Sequence, residues 1–482
     1  MCVANRYFAA ADVDDLPGCV PKLENVRGMI EAFDGSRPTD LPLVIRTAHG
    51  LGEIIFVAAD LDRPPFVKWP AQAQMLRKLL GRGKEKPAEA EMNSAQSASA
   101  FGYVDLSGQL RSALDQFQGI KIVPFAVVAL LVCGYILLIG PGDYYFVKHV
   151  LKRMELTWIT FPLIVLSVSA GAYFLAYWTK GNDIRLNQVD LVDVDVESGL
   201  VRGTTWLNLF SPRTEAYTLS VEPLLPDGET AEDAQVLFSW LGLPGSALGG
   251  MDPAANPPLF GRAYEFSPEL DRMFDVPIQV WSTKSLTARW MAESDLDLDA
   301  SFALGGDNLL TGSNLEGSLK NTLDVPLKNC LLAHDRWAYR IGDLKPGQTV
   351  ELNEDVERVE LQTELMGRRL VSDEKDQYTR YSTPYDQMSF DVPAILRQMM
   401  FFRSAGGQDY AQLSNAYQQF VDLSGHIDNG RAVLVGFTQT AGSDGQGGAT
   451  LLRDGEPIDA AESKRWTCCR FVYDVEQIAS ER

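Results

Sequence analysis

The chain has 482 residues, 46% hydrophobic and 22% charged, with a formal net charge of −21. That length allows about two to four domains, and that balance excludes a wholly disordered or collagen-like chain. Residues 1–178 carry 17 basic and 17 acidic side chains, so the whole acidic excess falls on residues 179–482; such a body repels phosphate backbones and anionic headgroups, and no nucleic-acid partner is expected.

No basic, apolar-cored leader opens the chain. Pro42–Arg46 and Glu53–Ala58 are apolar, β-rich runs around His49-Gly50-Leu51-Gly52, which predicts two strands joined by a glycine turn. Pro70–Leu80 follows as a short helix, so residues 1–80 read as a partial α/β segment. Cys2 and Cys19 sit on no strand-to-helix elbow and are not nucleophile candidates. Residues 81–104 read as a linker, charged and small without apolar periodicity. Residues 105–121 resume an amphipathic pattern, with Leu106, Leu110, Ala113, Leu114 and Phe117 on one face. This helix is expected along a membrane surface or against an outer domain.

Two apolar runs dominate the chain. Ile122–Gly142 and Trp158–Trp178 are each 21 residues long and uncharged. Each makes about 31 Å of helix at 1.5 Å per residue, matching a hydrocarbon core of about 30 Å. Trp158, Tyr173, Tyr177 and Trp178 bracket the second run as an interfacial belt. The short connection, residues 143–157, predicts an antiparallel transmembrane hairpin with Gly140-Pro141-Gly142 ending the first span. Lys148, Lys152 and Arg153 lie in that connection, against Arg111, Lys121, Lys180 and Arg185 on the flanks. The positive-inside bias places the 143–157 loop in the cytoplasm and both termini outside. About 120 residues would then cross the membrane before the first span, so either a longer parent chain carries an upstream export signal or the orientation is reversed; the first is the preferred expectation. GPGDYYFVK lacks the Gly…Gly-Lys-Ser/Thr spacing of a phosphate-binding loop and is read as a turn.

The string YILLIGPGDYYFVKHVLKRMELTWITFPLIVLSVSAGAYFLAYW resembles the membrane segment of a family of uncharacterised bacterial envelope proteins. There an IGP-x-DY-type turn links two spans and a K-R-x-E-x-TW segment opens the second. The likeness continues through NQVDLVDVDVESGLVRGTTWLNLFSP and reaches back to GLGEIIFVAADLDRPPFVKWP, about half the chain. It implies membrane attachment with extracytoplasmic domains and carries no catalytic residues. The strands and helix before residue 80 are similar to the end of a class I glutamine amidotransferase-like domain, whose nucleophile-bearing part would lie upstream.

Residues 179–482 carry many short strand patterns punctuated by Gly, Pro, Asn and Asp, which predicts an all-β sandwich. GSLKNTLDVPLKNCLLAHDRWAYRIGDLKPGQTVEL looks like an immunoglobulin-like strand series. Val392–Met400 and Asp409–Leu423 have helical spacing, giving a helical insertion at about 390–425. AGSDGQGG at 441–448 reads as a flexible loop.

Candidate chemistry is sparse. The six cysteines form no CxxC pair and the four histidines are scattered, so no zinc site is expected. Adjacent Cys468 and Cys469 point to opposite faces of a strand; a disulfide from Cys330 to one of them stays open. DVDVESG (Asp193, Asp195, Glu197) and DLDLD (295–299) could offer oxygen ligands to calcium, but both miss the EF-hand order and read as solvated strand faces. His334 with Asp335, and His426 with Asp422 and Asp428, could pair as base and orienter, but no nucleophile elbow accompanies them, so both are read as structural. Trp206, Trp240, Trp281, Trp290, Trp337 and Trp466 could line a groove and more often fill sandwich cores.

The expected fold is multidomain: a partial α/β N-terminal segment, a two-helix transmembrane hairpin and a mainly-β, immunoglobulin-like sandwich body with a helical insertion. The expected function is that of a non-enzymatic envelope protein of the bacterial plasma membrane, with no catalytic, metal or cofactor site, whose body binds an envelope partner. The alternatives are an auxiliary subunit of a transporter or export complex, and a truncated amidotransferase-like or hydrolase-like enzyme.

Overall fold

A computed structural model describes residues 28–33, 42–58, 60–62, 66–80, 103–118, 125–180, 183–242, 265–294, 296, 299–305, 314–353, 356–372, 378–439, 446–460 and 463–476. Cys2, Cys19, most of the 81–104 linker, most of DLDLD and residues 441–445 lie outside them.

The N-terminal unit is a three-stranded antiparallel sheet of β1 (Met29–Phe33), β2 (Pro42–His49) and β3 (Gly52–Val57). His49 pairs with Gly52 across a two-residue turn in which Gly50 takes φ 57, the left-handed conformation such turns require. Helix α1 (Gln72–Leu79) buries Leu79 with Ala32 and Val44. Arg46 ties the unit together, donating to Glu31 (2.7 Å), Glu53 (2.6 Å) and the Leu79 carbonyl (2.7 Å). The first strand was not visible in the sequence pattern.

The amphipathic helix becomes α2 (Leu106–Leu114), capped by the Asp105 carboxylate on the Ser107 N–H. It lies in the body core rather than along a surface. Leu106, Leu110 and Leu114 are fully buried, each contributing about 1.5–3 kcal/mol.

Two helices long and apolar enough to span a membrane follow: Ala126–Leu151, with mean hydropathy 2.0, and Met154–Leu175, with mean hydropathy 1.8. Their side chains face outward, Leu130 being 77% exposed and Trp158 87%. The connection differs from expectation. Helical backbone runs on from Phe125–Leu137 through a π turn at Leu138–Gly142, then Asp143–Phe146 and a second π turn at Val147–Leu151. Pro141 lacks an N–H but has helical φ, and the wider turn absorbs the missing bond. Gly142 is needed there because a Cβ would sit 2.9 Å from the Leu137 carbonyl oxygen. The reversal falls instead at Lys152, whose φ of 54 ends the helix, and at extended Arg153. The second helix runs Thr157–Lys180.

The body is mainly β, in several sheets. Its strands are β4 (Arg185–Asp195), β5 (Leu200–Ser211), β6 (Glu215–Leu224), β7 (Gln235–Trp240), β8 (Glu265–Phe266), β9 (Arg272–Ile278), β10 (Ser282–Glu293), β11 (Ala300–Leu304) and β12 (Leu315–Lys320). Then come β13 (Leu327–His334), β14 (Trp337–Leu344), β15 (Thr349–Leu352), β16 (Arg358–Glu360), β17 (Arg369–Ser372), β18 (Tyr378–Tyr381), β19 (Ala432–Gln439), β20 (Gly448–Arg453), β21 (Glu456–Pro457) and β22 (Lys464–Tyr473). Nine of them form one sheet in the order β16-β14-β13-β19-β22-β4-β5-β10-β7. All its pairs are antiparallel except β22 with β4.

Strand alternation divides this sheet into two faces. One face (Leu191, Trp206, Ala333, Val433, Cys468) packs beneath a helical layer of α2, Val392–Met400 and Ser424–Asp428. The other packs on two small sheets. Val192, Val194, Leu434 and Phe471 meet β11-β12-β15; Leu207, Leu209, Phe238 and Leu286 meet the five-stranded sheet of β6, β8, β9, β20 and β21. The expected helical insertion is therefore a covering layer, broken after Met400 into Gly407–Ala411, a 3-10 turn at Gln419–Val421 and Ser424–Asp428. The parallel pair and the helical layer are features that a two-sheet antiparallel sandwich lacks. Cys468 and Cys469 join opposite cores, and they and Cys330 are free thiols.

Candidate functional site

The acidic run DVDVESG leaves β4 at Asp195: Asp193 and Asp195 lie on this central strand and are not solvated, whereas Glu197 in the following turn is exposed. Asp190, Asp193 and Asp195 are each at most 3% exposed. This corrects the strand-face reading: a central strand is covered on both sides, and alternation there separates two dry faces. The register supplies each carboxylate with an arginine. Asp193 stands opposite Arg202 on β5 and Arg470 on β22. Arg470 Nε donates to Asp193 Oδ1 (2.6 Å) and Arg202 Nη2 to Oδ2 (2.5 Å). Burial alone would raise the Asp193 carboxyl, but Arg470 and Arg202 more than offset it and hold it below the usual range.

Asp190 points to the other face. It accepts from Thr205 Oγ1 (2.7 Å), Arg465 Nε (2.9 Å) and the Ala449 N–H (3.1 Å), while burial pushes its carboxyl up. Gly448, at φ +96, makes room; a Cβ there would sit 2.3 Å from the Asp190 carboxyl carbon. Asp195 pairs with Arg431 (2.5 Å), which also bonds Asp474 and the Gly50 carbonyl (2.8 Å). A hydrogen bond to Asp474 raises Glu197; burial would raise Asp474, but that bond from Glu197 and the charge of Arg431 bring it down. Through Gly50 the turn of the N-terminal sheet docks on this end of the body, with Asn429 reaching Glu53 (3.3 Å).

Both histidine candidates come to the same end. Burial lowers His426, and Arg431 adds to the effect. Burial also lowers His334, against Asp335 and a hydrogen bond with the Gly430 backbone. Among the described residues the base–orienter pairing is not formed, in keeping with the structural reading of both histidines. Asp335, at φ 50, makes the β13–β14 turn. Asp422 accepts from the Ser424 N–H and hydroxyl and from the Arg403 N–H, and Asp428 pairs with Arg403 (2.8 Å). The Ser424 hydroxyl is thereby spent on a turn. His426 Nδ1 is buried without a hydrogen-bond partner among the described residues.

The tryptophans do not converge on a groove. Trp206 and Trp290 fill opposite faces of the large sheet, and Trp466 and Trp240 pack at core margins. Arg358 lies 4.3 Å over the Trp337 ring, and Trp281 sits in the β9–β10 turn. Among the described residues no three His, Cys, Asp or Glu side chains stand together to share a metal ion. Burial pushes the Cys330 and Cys468 thiols up to about 12, with Cys469 raised as well.

Sequence reasoning missed the arginines that complete this network: Arg202, Arg431, Arg465 and Arg470. One signal was present. Arg470 interrupts the apolar run Cys468-Cys469-Arg470-Phe471-Val472, and a lone charge in such a strand needs a buried partner.

Residues 305–449 match a domain of unknown function (DUF8725), a stretch that includes both histidines and Arg431. No curated protein matches the chain. Among solved structures, the yeast delta-COP-I mu-homology domain complexed with Dsl1 WxWxV peptide is similar at 7% identity and a TM-score of 0.23, covering 61% of this chain and 98% of that one. A second structure, the yeast delta-COP-I mu-homology domain, gives 8% identity and a TM-score of 0.26 with the same coverage.

Proposed function

We propose that this chain is a non-enzymatic, membrane-anchored envelope protein. Its hairpin crosses a bacterial plasma membrane twice, and its acidic body stands outside, where immunoglobulin-like strand edges and loops recognise another envelope protein. One observation carries the reading: the hairpin is an insertion within a single fold. Asn187 Nδ2 on β4 donates to the carbonyls of Leu114 (2.8 Å), the last residue of α2, and Gln116 (3.3 Å) just beyond it. Asp105 accepts from Ser414 Oγ (2.5 Å) and the Ala416 N–H (2.8 Å). The side of a membrane that holds α2 therefore holds β4 too, and two antiparallel helices of membrane length between them meet that condition. Lys148, Lys152 and Arg153 at the reversal favour a cytoplasmic turn.

The test is a Lys152→Cys variant of the full chain, in a Cys2→Ser, Cys19→Ser, Cys133→Ala background, in intact cells. Impermeant thiol reagent is expected to label it only after the membrane is opened; labelling from outside overturns the orientation. Partner binding is tested by purification from membranes, comparing the full chain with a variant whose residues 119–182 are replaced by a flexible linker. Recovery of the same envelope protein by both supports the reading. Deleting everything before residue 181 would instead remove α2 from the core.

A second reading, an auxiliary subunit of a larger membrane complex, draws on Asp143. This carboxyl is 3% exposed, and its Oδ1 has no hydrogen-bond partner among the described residues. It lies about 12 Å along the helix from Leu151, and ionisable groups at such depth serve function within membranes. A membrane-embedded partner lost on Asp143→Leu would favour this reading.

A further inference from the structure

We propose that the rim of the body from which the hairpin emerges is itself seated in the lipid interface, with the Gln279–Ser282 turn as its contact point. This rests on the membrane crossing proposed above and adds a second attachment to it.

Covalent reach places the rim. Lys180 ends the second helix and Asp183 opens the body, three peptide units later, a span of at most about 11 Å. On the other flank Gln118 and Phe125 are seven units apart, at most about 25 Å. Both flanks arrive at one end of the large sheet. Arg185 pairs with Phe210 at the end of β5, and the Phe117 ring lies 5.7 Å from the Phe210 ring. Ser211 pairs with Ser282 at the start of β10, and its carbonyl accepts from the Trp281 N–H (2.8 Å). The Val280 N–H donates to Thr214 Oγ1 (3.0 Å). The β9–β10 turn is thus bolted to the strand ends that adjoin the hairpin.

The composition of this rim suits the headgroup zone. Val280 is 43% exposed at the tip, and Trp281 beside it is half-buried, a residue type that favours membrane–water interfaces. Trp281 is held at φ 58, a left-handed conformation costly for an aromatic residue, which fixes the orientation of the tip. Charge fits as well. The body as a whole is strongly acidic, yet at this end Arg111, Arg185, Arg213, Lys284 and Arg453 offset Asp115, Asp183, Glu215 and Asp459. The usual repulsion from anionic lipid is locally cancelled. The far end of β10 gives the contrast. Glu293 lies 11 residues up the strand, about 36 Å away at 3.3 Å per residue, next to the acidic network and the docked N-terminal sheet.

The experiment uses the full chain in a Cys2→Ser, Cys19→Ser, Cys133→Ala background, reconstituted in phosphatidylcholine–phosphatidylglycerol vesicles. Single cysteines at Val280→Cys, Gln279→Cys, Leu166→Cys and Glu293→Cys carry a polarity-sensitive fluorophore. Nitroxide lipids quench either at the headgroup or deep in the chains. The expected result is blue-shifted emission at 279 or 280 with loss of fluorescence to the headgroup nitroxide, loss at 166 to the deep nitroxide, and neither at 293. Loss at 166 with none at 279 and 280 overturns the rim contact and leaves the hairpin standing. No loss at 166 overturns the membrane crossing, and the rim contact falls with it. Loss at 293 equal to that at 280 also overturns the proposal, because the body would then lie flat.

Discussion

In the hairpin the apolar side chains face outward: Leu130, Leu166 and Trp158 are 77%, 68% and 87% exposed. In the large sheet charged side chains face inward, and Arg470 and Asp190 are fully buried. The two regions reverse the usual rule that apolar groups go inside and charges outside. Each reversal needs surroundings that suit the group exposed or buried. Under the proposed membrane crossing, lipid would suit the outer face of the hairpin helices, whose backbone bonds are satisfied internally. Inside the sheet, an arginine from a neighbouring strand replaces the hydration shell of each carboxylate. Sidedness is therefore decided by partners, and the predictions below probe how firmly.

The largest effect is expected from breaking the Asp193 pair. Asp193→Ala leaves Arg470 charged under the helical layer with, among the described residues, the Val421 carbonyl to accept from it. The cost is about 3–5 kcal/mol, read as a lowered denaturant midpoint for the full chain in detergent. Replacing both residues, Asp193→Leu with Arg470→Met, is expected to cost less than the first change alone. A double variant as unstable as the single would mean that the charges themselves, not their pairing, hold the sheet.

Next comes Gly203, opposite Trp290 on β10. A Cβ there would lie 1.9 Å from the indole ring, and a rigid ring in a packed core cannot retreat. Gly203→Ala is expected to cost about 1–3 kcal/mol by overpacking, with a shift in tryptophan emission. An unchanged midpoint would show that this face of the sheet is looser than its burial implies.

The buried histidines test the same comparison through pH. Burial holds His426 and His334 below the ordinary value of 6.5. Above that value neither folded nor unfolded chain carries the proton, and the stabilisation is complete. As the pH falls below it, the unfolded chain binds the proton first, so stability declines until the folded groups titrate. Each histidine contributes a slope of up to about 1.4 kcal/mol per pH unit in that window. Around His426 stand Arg431, Glu53, Arg202 and Asp193. Asp422 and Asp428, raised by burial, stabilise the fold at lower pH and bound the window from below. Denaturant midpoints compared at about pH 7.5 and about pH 5.5 should fall for the parent and stay level for His334→Gln with His426→Gln. A parent midpoint that rises on acidification would refute the sign.

Much of the architecture was legible where one residue pattern has one outcome. Two uncharged runs of membrane length, the Gly50 turn and the amphipathic face of α2 each followed from periodicity or a single backbone requirement. The end of the first hairpin helix did not, because Pro141 can either stop a helix or sit in a widened turn, and Gly142 serves both. The site was less legible. Asp193 and Asp195 alternate with valines whether the far face meets water or a helical layer, and that depends on residues some two hundred positions away. The partners of the β4 carboxylates come from β5, β22 and the residue just before β19, and the parallel pairing that brings Arg470 beside Asp193 is a property of topology, not of local sequence.

The smallest effect is expected where charges meet in water. Arg340 on β14 bonds Glu357 and Glu364, each at 2.5 Å, distances as short as any at Asp193. Its side chain is 45% exposed, however, and Arg470 is not exposed at all. Both glutamates hold Arg340 protonated above the usual arginine range, but solvent screens such pairs and the long side chains lose rotamer freedom in making them. Arg340→Ala is expected to change stability by about 0–1 kcal/mol, and high salt should shrink even that. Side by side with Asp193→Ala, it breaks arginine–carboxylate pairs of like distance that differ chiefly in access to water. If the two variants cost the same, burial is not what gives the sheet network its weight, and the contrast between hairpin and sheet loses its physical basis.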